Sequence, residues 1–317
     1  MSKELVHSPA DVSKKGVESI RDNRENPFSG IRTGIEGLDN DFLTPWRPQI
    51  ITVEAYTNHG KTLFMTKIAE NVETTCKDNE VVVFIDLENS LEESTVSSFG
   101  RVAQIPIEKL LTGNIKDDEW RRLMQAATQR ATKKIWLVAY SEQAYKDREP
   151  VSIATIHKAL SYITVPESEG GQGKKIKLIV LDYFHQLEVP MGMYQLRFAY
   201  KTMMRELETM ALGFGCPLLL GAQAGRGTQS RQNRIPTLAD LQETSAIEQT
   251  SRTVISLYMP AKDFPINSID YEYGGKSFKV TYNLLMVSVL KQKHGRCPIT
   301  RAFDLNYDTL ELTRRIY

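Results

Sequence analysis

Gly60-Lys61-Thr62 closely follows a β-branched apolar run, Ile50-Ile51-Thr52-Val53, and precedes Leu63, Phe64, Ile68 and Ala69 at helical spacing. A flexible turn, an ammonium group and a hydroxyl at the head of a helix are the parts of a phosphate cradle. Backbone N–H groups there point at an anion, and the helix dipole adds to the attraction. Thr57, Asn58, His59 and Gly60 would wrap the phosphates, Lys61 would reach the β- and γ-phosphates, and the Thr62 hydroxyl would hold Mg²⁺. The implied ligand is a nucleoside triphosphate, ATP. The usual loop opens with Gly five residues before the second Gly, where this chain has Ala55. A GKT triplet also follows strands by chance; the strand–loop–helix order argues for the cradle.

Three further strand ends carry groups suited to that chemistry. Glu80–Leu87, EVVVFIDL, reads as a buried strand delivering Glu88, a candidate general base for the attacking water. IKLIVLD ends in Asp182, placed to support Mg²⁺ directly or through water. Pro217–Ala222 delivers the Gln223 amide toward a γ-phosphate. Each also has a bland reading: a surface carboxylate or amide in an ordinary strand–helix loop. A fourth strand, Leu284–Leu290, runs into Lys291-Gln292-Lys293-His294-Gly295-Arg296. Lys291 and Lys293 there are suited to stabilising transition-state charge on a neighbouring subunit's nucleotide. Arg226, Arg231 and Arg234 add positive charge to a Gln-, Ser- and Asn-rich stretch, as backbone phosphate contacts require. A solvated basic loop is the plainer alternative.

These groups need a frame of alternating strands and helices, that is, an α/β fold with a mostly parallel twisted sheet flanked by helices. Ser8-Pro9 and Asp11 start a helix to about Arg24, whose thin stripe is Val12, Val17 and Ile20. Asn26-Pro27 and Ser29-Gly30 mark a boundary, giving an arm over 1–30 and one domain over 31–317. Ile35, Leu38 and Phe42 form a lead-in beneath the first strand. Helical spacing assigns Trp120, Leu123, Met124 and Ala127 to one core face, and Phe198, Met203, Leu207 and Met210 to another. Gly274-Gly275 turns a hairpin.

Composition sets the limits. With 41% hydrophobic and 25% charged residues the chain is globular, and its net charge of +1 excludes a uniformly basic surface. Cys76, Cys216 and Cys297 are too dispersed for a disulfide framework or a zinc site. The absence of a signal peptide or of an apolar run near membrane-spanning length predicts a cytoplasmic protein without membrane contact.

Several stretches, in order, resemble the RecA-like ATPase domain of the DnaB-type replicative helicases, from about Gly30 to Arg314. IRTGIEGLD is similar to that family's lead-in, and AYTNHGKT to its phosphate loop, which also opens with Ala. FIDLENS looks like the catalytic-glutamate segment, EKLLTGNIKDDEW a family helix–turn element, LIVLDY the metal-site strand and LLLGAQAGRG the sensor strand. IPTLADLQETSAIEQ resembles the central-channel loop, and KQKHG the trans-acting finger segment. The resemblance implies a RecA-like P-loop NTPase core in a hexameric ring. ATP would lie at subunit interfaces, and single-stranded DNA would be driven 5′ to 3′ through the pore. By position Gln242, Glu243, Thr244 and Ser245 would contact that DNA, and a primase or helicase loader is an implied partner. Lys293 stands where the family usually has Arg, which exchanges a bidentate fork for a point charge, with Arg296 as a substitute. Gln242 stands in for another Arg. The family's N-terminal helical domain is not matched, and residues 1–30 correspond only to its linker helix. The alternative is another RecA-like ATPase, a recombination mediator or clock-type ring ATPase without unwinding activity; the ETSAIEQ stretch argues against it.

Overall fold

The structure is a computed structural model that describes residues 7–25, 30–40, 45–147, 149–190, 196–225, 234–241, 245–269 and 271–315. Phe42 lies outside them. In chain order the elements are helix α1 (Pro9–Glu25), α2 (Glu36–Asp39), strand β1 (Ile50–Ala55), α3 (Lys61–Glu73), β2 (Glu80–Ser90), α4 (Leu91–Ala103), α5 (Ile107–Thr112), α6 (Asp117–Ala131), β3 (Ile135–Tyr140), α7 (Glu142–Lys146), α8 (Ile153–Thr164) and β4 (Lys175–Asp182). Then follow α9 (Leu196–Gly213), β5 (Leu218–Gln223), α10 (Ser245–Thr250), β6 (Thr253–Tyr258), the hairpin β7 (Tyr271–Tyr273) and β8 (Lys276–Phe278), β9 (Leu284–Gln292), β10 (Ile299–Leu305) and β11 (Leu312–Arg314).

One nine-stranded sheet organises them, in the order β11-β10-β9-β6-β1-β5-β4-β2-β3. β6, β1, β5, β4, β2 and β3 run parallel, while β9, β10 and β11 add antiparallel strands on one side. This is the predicted mostly parallel sheet. β1 lies near its middle and every residue of it is buried, as a strand covered on both faces requires. Its side chains alternate accordingly. Ile50 joins the core under α8, α9 and α10, whereas Ile51, Val53 and Ala55 join the core under α3. Phe64, Met65 and Ile68 press α3 onto that second face, each burial contributing about 1.5–3 kcal/mol. α2 supplies Leu38 to the same core, and Ile35 just before it packs there too, as the lead-in reading expected.

Two helical faces depart from expectation. α6 buries Glu119 and Ala126, while Trp120 is 54% and Met124 50% exposed. The covered stripe lies one position round the helix, against α4. In α9 the buried set is Ala199, Tyr200, Met203, Met204, Leu207, Met210 and Ala211, and Phe198 stays exposed. α1 forms where Ser8 accepts the Asp11 N–H at 3.1 Å, yet Val12, Val17 and Ile20 are all exposed. A short helix that buries nothing gains little from its own hydrogen bonds. Among the described residues no helix is long and apolar enough to cross a membrane.

Candidate nucleotide site

The carboxyl ends of β1, β2, β4 and β5 meet at one edge of the sheet, and Lys61, Glu88, Asp182 and Gln223 all sit there. The turn between β1 and α3 is tight because two residues take left-handed backbone, Asn58 at φ +64° and Gly60 at φ +81°. Glycine adopts that conformation without a Cβ penalty, and at 60 it lets α3 begin at Lys61. The first N–H groups of α3 have no partner inside the helix and face the loop's concavity.

Asp182 draws the two functional side chains together. Its Oδ1 accepts Lys61 Nζ, and its Oδ2 accepts the Thr62 hydroxyl at 2.5 Å. Lys61 Nζ also lies 4.5 Å from the centroid of the Tyr183 ring. The close approach depends on Gly221 in β5. A Cβ there would stand 2.9 Å from Asp182 Oδ1 and 3.2 Å from Lys61 Nζ. An apolar strand interrupted by Gly, LLLGAQ, carries this signal, since Gly inside a strand often marks such an approach. Thr62 and Asp182 make a hard-oxygen donor pair that suits Mg²⁺, which takes few protein ligands and fills its shell with phosphate oxygens and water. Among the described residues no group of three or more His, Cys, Asp or Glu is gathered to cage an ion.

Glu88 projects from a bulge. The register of β2 against β3 is broken between Asp86 and Ser90, so Leu87, Glu88 and Asn89 stand out from the ladder. Partial desolvation pushes the Glu88 carboxyl above its ordinary value, and the Asp182 charge adds to this; Lys61 opposes it and Asp86 reinforces it. That is the direction a general base near neutral pH requires. Gln223 lies at the end of β5, where its Nε2 donates to Thr57 Oγ1 at 2.8 Å. The amide thus bridges the sensor strand and the phosphate loop.

His59 plays a different part from its neighbours. Its backbone N–H donates to Tyr56 O at 3.2 Å, and its ring turns away from the cradle. Nδ1 accepts the Met259 N–H at 3.0 Å, and the ring stacks on Tyr258 with centroids 5.3 Å apart. Burial lowers its pKa to about 4, with Asp263 opposing and Lys262 assisting. Because the folded value lies below 6.5, this neutral imidazole stabilises the protein fully above pH 6.5, and the contribution is lost as pH falls toward 4. In urea titrations the parent is expected to lose roughly 2–3 kcal/mol more than His59→Met over that interval. Parallel pH curves for the two proteins would remove His59 from that role.

The remaining candidates lie elsewhere. β9 runs antiparallel to β6 with Gln292 opposite Thr253, so Lys291 and Lys293 fall at the end of the sheet away from Lys61. The length of β1, six residues, separates them by roughly 17–20 Å. Lys291 Nζ donates to Glu248 O at 2.5 Å, satisfying the last turn of α10, and Lys293 and Arg296 are exposed. Arg234 pairs with Asp263 at 3.3 Å and lies over the Phe264 ring. Ser245 opens α10. Arg226, Arg231, Gln242, Glu243 and Thr244 lie outside the described residues. Sequence reasoning overlooked Gly221, Asp86 and Glu54. Glu54 in β1 is fully buried with neither oxygen hydrogen-bonded, and burial, aided by the Asp240 charge, pushes its carboxyl well up.

With the loop, both acids and the amide on one sheet edge, the family can be assigned. The profile of the DnaB-like helicase C terminal domain matches residues 30–310. The chain belongs to that family. It is 26% identical over 296 residues to the replicative DNA helicase DnaC of Bacillus subtilis (strain 168), a match covering 92% of this chain and 59% of that one. The chain spans about half to three fifths of the length of the curated relatives it matches. Its fold is that of a solved ATPase domain, at TM-score 0.75 and 18% identity, covering 96% of this chain and 98% of that one. A DnaB-like replicative helicase described with its interactions with primase matches at TM-score 0.74 and 18% identity, covering 94% and 66%. Both solved structures thus share the α/β fold found here.

Proposed function

We propose that the chain is the ATP-driven motor of a DNA helicase, hydrolysing ATP between subunits of a ring and moving single-stranded DNA 5′ to 3′. The convergence of Lys61, Thr62, Glu88, Asp182 and Gln223 on one sheet edge, in a chain of the DnaB-like family, carries this reading. In it Lys61 binds the β- and γ-phosphates and the loop N–H groups hold the phosphate oxygens. Thr62 and Asp182 would hold Mg²⁺, which when bound would supply neutralisation of the charge on the transferred phosphoryl group. Glu88 orients the attacking water and takes its proton, while Gln223 reports the γ-phosphate to Thr57 and β5. Lys291 and Lys293 serve the nucleotide of an adjacent copy, since their own lies at the far end of the sheet.

The ring also gives α1 a place. A groove of about 1020 Å³ opens between α3, α4 and α6, and the exposed Leu91, Val102 and Ile107 help line it. The uncovered Val12, Val17 and Ile20 of one copy seat there on the next. Single-stranded DNA runs along Arg226, Arg231, Arg234 and residues 242–245, held mainly through its phosphates. A primase or loader is the further partner, and the assembly is a hexamer.

ATP turnover with and without single-stranded DNA tests this reading. DNA is expected to stimulate hydrolysis, and Lys61→Ala to abolish it in both conditions. Hydrolysis indifferent to DNA, with no opening of forked duplexes, would favour a RecA-like ATPase of another kind.

A further inference from the structure

Asp86 is a buried carboxylate that the proposed reaction does not use, and it is the hub of the bulge that carries Glu88. Its Oδ1 accepts the Glu88 N–H at 3.0 Å and the Asn89 N–H at 3.1 Å. Its Oδ2 accepts the Asn89 side-chain amide at 3.2 Å and the Ser94 hydroxyl. Four donors from three residues therefore converge on one side chain that is only 6% exposed. On its far side the chain is fixed independently. Ser90 and Glu93 close a capping box at the start of α4, with Glu93 N–H to Ser90 Oγ at 3.2 Å and Ser90 N–H to Glu93 Oε2 at 2.9 Å. The projecting residues are thus clamped at both ends, by Asp86 before and the capping box after. Within the sheet Asp86 stands beside Asp182, its register partner on β4, so the clamp is referenced to the strand that ends in the proposed metal ligand.

We propose that Asp86 is a positioning residue for the hydrolytic step, holding the backbone of Glu88 so that its carboxylate meets the attacking water in line with the γ-phosphate. The inference rests on the reading of Glu88 as the general base. A charged acceptor is suited to the task. Hydrogen bonds to a carboxylate are stronger than those to a neutral oxygen, and one side chain can saturate several backbone donors that a bulge removes from the ladder. A displacement of the base by about 1 Å is enough to cost roughly 100-fold in rate without weakening substrate binding. The role therefore predicts a split between kcat and KM that a purely structural role would not produce.

The experiment measures ATP turnover and nucleotide affinity for the full chain and for Asp86→Ala, Asp86→Asn, Ser94→Ala and Glu88→Gln. Asp86→Ala is expected to lower kcat about 10- to 100-fold with KM for ATP and nucleotide affinity little changed. Asp86→Asn keeps an oxygen facing the Glu88 and Asn89 N–H groups, and the Ser94 hydroxyl can turn and the Asn89 side-chain amide can flip to accept from the new amide, so it is expected to restore most of the turnover. Parental kcat in Asp86→Ala, alongside an inactive Glu88→Gln, would overturn the positioning role and leave the base intact. Loss of affinity in step with kcat in Asp86→Ala would also overturn it. Retained turnover in Glu88→Gln removes the base and the proposal with it. If Asp86→Ala does not fold, Ser94→Ala decides. It withdraws one donor that fixes the carboxylate and is expected to lower kcat at unchanged KM, and parental kcat there overturns the proposal.

Discussion

Glu88→Gln is expected to bind ATP as the parent does and to hydrolyse it about 10²- to 10⁴-fold more slowly, the contribution of a positioned general base. The amide keeps the size and polarity of the side chain but cannot take a proton. The bulge that projects Glu88 is held by main-chain donors to Asp86 and by the Ser90–Glu93 capping box, none of which the substitution touches. The phosphate cradle is likewise built from other residues, so binding should survive. Single-turnover hydrolysis and a fluorescent-nucleotide titration separate the two quantities. Turnover near the parental rate would move the base to another residue.

Gly221→Ala is also expected to have a large effect, although position 221 carries no functional group. The added Cβ would lie 2.9 Å from Asp182 Oδ1, 3.2 Å from Lys61 Nζ and 3.2 Å from Tyr183 Cβ. No rotamer relieves a Cβ, so the Asp182 carboxylate must shift, and the Lys61 ammonium and Tyr183 Cβ must give as well. Overpacking of this kind costs about 1–3 kcal/mol, which as lost nucleotide affinity is about 5- to 150-fold. The expected signature is weaker Mg²⁺–ATP binding together with a lower melting temperature. Gly213→Ala is the control, because a Cβ there meets nothing within 4 Å. Affinity in Gly221→Ala equal to that of the control would show that the site tolerates the methyl group.

The two substitutions mark where the sequence was legible and where it was not. Glu88, Asp182 and Gln223 could be read because each ends an apolar run, and Lys61 because it follows one through a short loop at the head of a helix; strand ends in a parallel sheet converge on one edge. The central strands were plain for the same reason: β1, β4 and β5 are short, apolar and buried on both faces, so periodicity and burial agree. Gly221 sits in such a run, and its importance lies in what faces it from the neighbouring strand and the phosphate loop, which no local pattern encodes. Asp86 was hidden similarly, as one polar letter inside a buried strand whose partners arise only when the ladder breaks. His59 belonged to the loop by position, but its ring is governed by Tyr258 and Met259, 200 residues away for the backbone N–H it accepts. The exposed Trp120, Met124 and Phe198 mark another limit. Helical spacing shows that an apolar stripe exists, and says nothing about whether this chain supplies its cover.

The reversal of β9 relative to β1 has a geometric corollary. On the reading proposed above, donor and acceptor of the trans contact are fixed to opposite rims of a single rigid sheet, so no hinge within one copy can bring them together. A two-fold pair would make that contact twice, once in each direction across one interface. In the proposed ring each copy instead presents its front to its neighbour's back, and repetition of that step either closes on itself or winds into an open helix. Which of these forms is governed by the rotation between successive copies, a quantity to which the proposed seating of α1 in the adjoining groove would contribute directly.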